Sequence, residues 1–290
     1  MTDIVATVIT PSQLSGGGEL GHFDLERFDR AYLAQGDSWF SIGHIPPWCT
    51  SNLLAQMVLT RSSCIVNCAR PGEVLAHMTD TTTQRRFLQL LRGKLAYRWH
   101  AVLLSGGGND LIDAVAAPPA AAPQHRLLRV QQEWGAAGAG AARYVSEPGW
   151  STFEVHLHAV FDSLLVECDK GPNADVPVLC HSYDHLTPRD APAGLGFGPW
   201  LYTALKAYAI PETDWHALSR LLLERHREIL RGVAARHAAG RIIVVDTLGT
   251  LTPAASGDAD ASNDWENEIH PRSIGYASLA RRWRPVLDAL

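Results

Sequence analysis

Five short runs of uninterrupted apolar residues, separated by longer helical stretches, constrain this sequence most. They are Arg30 to Gln35, Cys64-Ile65-Val66-Asn67, Ala101-Val102-Leu103-Leu104, Val176-Pro177-Val178-Leu179-Cys180 and Ile242-Ile243-Val244-Val245-Asp246. A strand with one wet face alternates apolar and polar residues. A run that is apolar throughout suits a strand buried on both faces, as in a parallel sheet. Parallel neighbours need crossover connections, and the intervening segments supply them. Thr81 to Tyr97 sets Phe87, Leu90, Leu91 and Leu95 on one side of a predicted helix. A second helix opens at Ser151, carries Phe153, Leu157, Val160, Phe161, Leu164 and Leu165, and ends near Gly171-Pro172. A third, Trp215 to Ala239, carries Leu218, Leu221, Leu222, Ile229, Leu230 and Val233, with Gly240 as its stop signal. Pro271 suits the first position of a last helix, where no N–H is needed, followed by Ile274, Leu279, Trp283 and Leu287. The expectation is an α/β fold, a three-layer α/β/α sandwich around a central five-stranded parallel sheet.

At 290 residues, 46% apolar and 19% charged, the chain carries a full core. We expect one domain over residues 30–290. Residues 1–29, with Ser15-Gly16-Gly17-Gly18, read as a loose arm. Residues 113–149 are an Ala/Pro/Gly-rich insertion, serving either as a mobile cover over a site or as a linker without a role. A net charge of −5 and the lack of any basic run argue against nucleic acid as a partner. The five cysteines are odd in number and irregularly spaced, which fits no disulfide framework. Cys64 and Cys68 read as small buried side chains rather than a metal or redox pair. No basic start precedes an apolar stretch, and no window approaches the ~20 apolar residues of a membrane span. The expected location is cytoplasmic.

Four segments carry chemistry. Gly36-Asp37-Ser38-Trp39 follows the first apolar run, Arg70-Pro71-Gly72-Glu73 the second, and Ser105-Gly106-Gly107-Gly108-Asn109-Asp110 the third. Asn267-Glu268-Ile269-His270-Pro271 follows the fifth at a distance. The carboxyl edge of an open α/β sheet is where ligands bind. A serine hydroxyl is a poor nucleophile unless a base takes its proton. His270 offers that base, since an imidazole accepts and returns a proton near neutral pH. The Asn109 side-chain amide and the backbone N–H groups of Gly72 and Ser38 offer donors for an oxyanion. Each also has a plainer use: Ser38 and Asn109 as helix caps, Gly72 as relief for a turn, His270 as a helix-terminal residue.

Taken together the segments resemble the SGNH hydrolases, also called the GDSL esterase/lipase family. Gly36-Asp37-Ser38 is similar to the family's nucleophile block, Gly72 to its oxyanion glycine, Gly107-Gly108-Asn109-Asp110 to its Gly-x-Asn-Asp block and His270-Pro271 to the block that holds the base. The resemblance implies a flavodoxin-like sandwich and a serine esterase with no metal or organic cofactor. Ser38 would be the nucleophile and His270 the base. Ser38, Gly72 and Asn109 would form the oxyanion hole. It also implies a small-molecule or lipid ester as substrate. Alternatives within the family are a carbohydrate O-deacetylase, a lipase or a thioesterase. A binding protein that has lost the family acid is the alternative from another class. The departure lies in that acid, an aspartate three residues before the histidine in the family and Asn267 here. Asp264 is the first candidate to replace it. Glu266, Glu268, or a dyad held by Asn267 or a backbone carbonyl are the others.

Three further groups stand out. His156 and His158 lie two apart on a predicted helix and face different sides, which does not make a metal pair. His181-Ser182-Tyr183-Asp184-His185 follows the fourth run, so His181 and Tyr183, with Trp39, are candidate cleft residues. Trp39, Phe40 and Gly196-Phe197-Gly198-Pro199-Trp200 offer apolar walls, although core packing explains aromatics of this kind as well.

Overall fold

The computed structural model describes residues 3–14, 23–42, 51–194 and 196–290. The expected Ser15-Gly16-Gly17-Gly18 segment lies outside them. The strands are β1 (Ile4–Val5), β2 (Thr7–Ile9), β3 (Arg30–Gly36), β4 (Val58–Leu59), β5 (Ser63–Asn67), β6 (Ala101–Ser105), β7 (Val178–His181) and β8 (Ile242–Val245). The main sheet runs β2-β5-β3-β6-β7-β8, and every pairing in it is parallel. It therefore has six strands, not five. The sixth comes from the segment expected to be a loose arm, where Thr7, Val8 and Ile9 pair with Cys64, Ile65 and Val66. Three residues are too few to show a pattern in the sequence, and the edge of β5 provides the template. β1 and β4 form a separate antiparallel pair.

The helices are α1 (Pro11–Leu14), α2 (Ser38–Ser41), α3 (Arg85–Leu91), α4 (Gly108–Ala116), α5 (Glu147–Asp169), α6 (Leu201–Ala207), α7 (Glu212–Ala235) and α8 (Ser273–Asp288). In one layer α5 contacts both α3 and α7. In the other, α8 packs on β8 and on the β3–β5 connection, and its Trp283 meets Phe40 and His181. The result is the α/β/α sandwich.

The central strands read correctly because burial on both faces leaves their middles apolar, as in Ala101 to Leu104 of β6. Helix ends read less well. α3 stops at Leu91, and Leu95 is exposed instead of sharing its apolar face. Pro271 precedes the N-cap Arg272 instead of opening α8, and Ile274 is exposed. The 113–149 segment begins with the end of α4 and continues as 3-10 turns. It is anchored by buried Leu127 and Leu128 and by Arg126, which is buried and bonded to Glu133. Cys64 and Cys68 are free and buried, and burial pushes both thiols up to about 12. No helix among the described residues is long and apolar enough to cross a membrane.

Candidate active site

The chain leaves β3 in one direction to form β5 and then crosses back over β3 to form β6. Such a reversal opens a crevice at the carboxyl ends of the strands. Ser38 follows β3 and Asn109 follows β6, so the two flank that crevice. The strands come very close at their ends. Gly36 pairs with Ser105, and a Cβ on Gly36 would lie 2.7 Å from the Ser105 carbonyl oxygen. Only glycine fits there, and the Asp37 N–H then donates to the same carbonyl at 3.0 Å.

Asp37 turns the chain from strand into helix. Its Oδ1 caps α2 by accepting the Trp39 N–H at 3.0 Å. The same oxygen accepts the Ser105 hydroxyl at 2.7 Å, and Oδ2 accepts the Tyr183 hydroxyl. Burial pushes the Asp37 carboxyl up to about 6, against these hydrogen bonds, which favour the anion. Behind it, His181 Nε2 lies 3.0 Å from Ser105 Oγ. Ser105 spends its proton on Asp37, so His181 is the donor in that pair. Burial depresses the His181 imidazole to about 3, which keeps it neutral. His181 is thus a core support, completely buried among Trp39, Phe40, Tyr183 and Trp283, and not the cleft residue expected from its place after β7. Trp39 and Tyr183 do line the cavity beside Ser38.

The candidate base, His270, lies on the loop before α8. His270 Nε2 lies 2.9 Å from Ser38 Oγ. On its far side Nδ1 lies 3.0 Å from Asn267 Oδ1. That oxygen also accepts the N–H groups of Ile269 at 3.1 Å and His270 at 3.0 Å. An atom accepting two backbone N–H bonds is the carbonyl oxygen of the amide, so the imidazole carries its proton on Nδ1. Nε2 is then bare and accepts the serine proton. Burial, unopposed by any carboxylate, depresses His270 to about 4.

Asp264 is therefore not the partner of the imidazole. Its Oδ2 accepts the Thr252 N–H at 2.7 Å, and the isolated bridge between Trp265 and Pro271 fixes the hairpin that carries it. Glu266 is exposed, with its nearest cation Arg272 at 4.0 Å. Glu268 faces the other way. Its carboxylate accepts the N–H groups of Trp200, Leu201 at 3.1 Å and Tyr202 at 2.7 Å, the first turn of α6. Burial nevertheless pushes it up to about 7. Glu268 thus clamps the loop, and Trp39 Nε1 holds the same loop through the Ile269 carbonyl at 3.1 Å. Asn267 was the least favoured position in charge terms, yet it alone has the reach. The signal was its spacing of three residues from His270.

Asn109 sits in the first turn of α4 and lines the cavity with Ser38. Its Nδ2 donates one proton to the Glu73 carbonyl at 2.9 Å. The neighbouring Asp110 accepts the Leu75 N–H at 3.0 Å, so the segment after β5 is tied to α4 at two points. Gly108 lets α4 start this close to Tyr183, where a Cβ would lie 2.7 Å from the ring. Gly72 lies in an exposed turn at φ +74°, one residue before Glu73, and is not among the residues lining the cavity. α7 adds to the wall Leu222, which read in sequence only as a helix-face apolar residue, and Leu223, which the sequence pattern did not single out. His156 Nε2 lies 3.2 Å from Asp110 Oδ1, and no group of three or more ligating side chains able to hold a metal ion occurs among the described residues.

The segments that carry Ser38, His270 and Asn109 thus meet at one sheet edge, on a 2-1-3-4-5 core order with one added edge strand. The fold is a three-layer α/β/α sandwich around a parallel sheet. Solved structures similar to the chain include an extracellular lipase from Streptomyces rimosus, at TM-score 0.49 and 15% identity, covering 90% of this chain and 99% of that one. A phospholipase A1 from Streptomyces albidoflavus is similar at TM-score 0.47 and 15% identity, covering 90% and 98%. A catalytic mutant of an acetylxylan esterase from Geobacillus stearothermophilus is similar at TM-score 0.46 and 14% identity, covering 88% and 92%. No family model and no curated protein matches the chain.

Proposed function

We propose that the chain is a serine esterase of the SGNH type working with a Ser38–His270–Asn267 triad. The observation that carries this reading is the imidazole held between two partners, 2.9 Å from Ser38 Oγ and 3.0 Å from Asn267 Oδ1. Ser38 Oγ attacks the ester carbonyl while Nε2 of His270 takes its proton. The oxyanion is held by the Ser38 N–H and the second Nδ2 proton of Asn109. Gly72, expected as a third donor, lies in an exposed turn outside the cavity lining and is given no part in holding the oxyanion. His270 returns the proton to the leaving alcohol, and water hydrolyses the acyl-enzyme with His270 again as base. Asn267 fixes the tautomer and the ring plane. It brings a dipole, not a charge, to the imidazolium, so the catalysis is slower than a carboxylate would give.

A second cavity favours a carbohydrate O-deacetylase as the narrower reading. It encloses about 250 Å³ and is walled by Tyr202 and Trp215, which meet edge to face at 5.4 Å, with Thr187, Asp190 and Glu212. Leu186 and Leu201 face the Ser38 cavity while their neighbours Thr187 and Tyr202 face this one, so the two share a wall. Aromatic faces with carboxylates and a hydroxyl suit a polyhydroxylated alcohol.

The test is reaction of purified protein with a fluorophosphonate, alongside hydrolysis of a short-chain aryl ester. Wild type is expected to label and turn over, and Ser38→Ala to do neither, with activity down at least about a thousandfold. Equal hydrolysis by both proteins would sink the assignment. Absence of both labelling and hydrolysis in wild type would favour a binding protein.

A further inference from the structure

The cavity beside Ser38 has a one-sided chemistry. Ile112 of α4, Leu186, Leu201 of α6 and Leu222 and Leu223 of α7 line it, together with Trp39, Leu111 and Ile269, so its wall is largely apolar. Its polar side chains are nearly all spent inside the protein. The Ser219 hydroxyl donates to the Leu186 carbonyl at 2.7 Å, the Tyr183 hydroxyl donates to Asp37, and Asp37 also serves Ser105 and Trp39. Two groups remain for a substrate, the Ser38 hydroxyl and the second amide proton of Asn109. A recess that is apolar apart from a nucleophile and an oxyanion donor suits the acyl side of an ester. A polar alcohol would lose its hydrogen bonds with water there and gain none.

The recess is also short. Its free volume, counted where the centre of a water molecule can go, is about 30 Å³. One ordered water needs about 10–15 Å³ by that measure, so the space takes on the order of two or three small groups. Resting on the esterase reading, we propose that this cavity is the acyl pocket and that it selects short, unbranched acyl groups of about two to four carbons. The carbonyl carbon sits at Ser38 Oγ, and the tail points between α4 and α7. Each methylene that fits gains burial, whereas one that does not must push close-packed leucines off their rotamers. The same wall disfavours the long acyl chains of a lipase or thioesterase substrate.

The experiment is a series of p-nitrophenyl esters from acetate to octanoate on the full chain, with kcat/KM for each. Acetate to butyrate is expected to exceed octanoate by at least about tenfold, since a single misplaced methylene costs about that much discrimination. Ile112→Ala, at the least buried apolar wall position, is expected to raise the hexanoate-to-acetate ratio about tenfold. Leu223→Ala, on the facing helix, is the second variant and is expected to move the ratio the same way. Octanoate turned over as well as acetate overturns the proposal while leaving the esterase reading intact, and so does an unchanged ratio in a folded variant. No hydrolysis of any ester overturns both.

Discussion

Replacing Asn267 by aspartate changes one atom of the amide for another of similar size and adds one charge beside the imidazole. The existing bonds from the Ile269 and His270 N–H groups to Oδ1, at 3.1 and 3.0 Å, suit a carboxylate oxygen equally well. Unit charges about 4 Å apart interact by about 4 kcal/mol at an effective dielectric of about 20. That corresponds to about three pKa units on His270. Part is lost because the new carboxylate is desolvated at a position only 7% exposed. We therefore expect His270 to rise by about two units from its present value of about 4. The sign is fixed, because a carboxylate favours imidazolium. Wild type keeps its base free down to about pH 5 and holds activity there. Asn267→Asp loses activity as pH falls through about 6. Above that limb the variant gains, since the imidazolium formed during attack now meets a charge; removing such a charge elsewhere costs up to about ten-thousand-fold. An increase of at least about tenfold in kcat at pH 8 is expected. The assay is kcat and kcat/KM from pH 4 to 9, with an NMR titration of the ring. An acid limb that stays in place, or moves down, refutes the assignment of Asn267 as the imidazole partner.

Three further outcomes are expected. Asn109→Ala should lower kcat by about a hundred- to a thousandfold with KM little changed, and a fall of less than tenfold in steady-state kinetics would remove it from the oxyanion hole. His226 on α7 is completely buried with neither ring nitrogen partnered, and burial depresses it to about 4. The unfolded chain binds its proton below about 6.5 and the native state does not, so this group removes stability as pH falls from about 6.5 towards 4, on the order of 2 kcal/mol by pH 5. His226→Leu should therefore gain on wild type by that amount between pH 8 and pH 5 in urea denaturation, and an equal difference at both would refute the argument. Glu268→Gln replaces an acceptor by a donor facing the α6 N–H groups. It should destabilise by about 1–3 kcal/mol and lower kcat through the His270 loop, checked by denaturation midpoint and turnover.

Much of the site was legible because its parts are local. Ser38 after Gly36-Asp37 and Asn109 after Gly107-Gly108 are each tied to the end of a strand whose apolar run is plain. Their meeting follows from parallel topology alone. His181 and Glu268 were not legible in the same way. Both are polar residues near motif residues, and the sequence does not say which way a side chain points. His181 was expected in the cleft and supports Asp37 from within, while Glu268 turns from the imidazole to the start of α6.

The sequence by itself pointed to the layering and to Ser38, His270 and Asn109 as the candidate nucleophile, base and amide, because strand burial and strand-end turns are written in neighbouring residues. It also determined that a carboxylate is missing three residues before His270. Only the tertiary structure decided what replaces it. Asp264 and Asn267 are both near His270 along the chain, but the Trp265–Pro271 bridge commits Asp264 to Thr252, while the turn at Asn267 brings its oxygen within 3.0 Å of Nδ1. The sixth strand and the short pocket were likewise settled in three dimensions. An edge strand takes its partner from the sheet, and a cavity's size depends on side chains from helices more than a hundred residues apart.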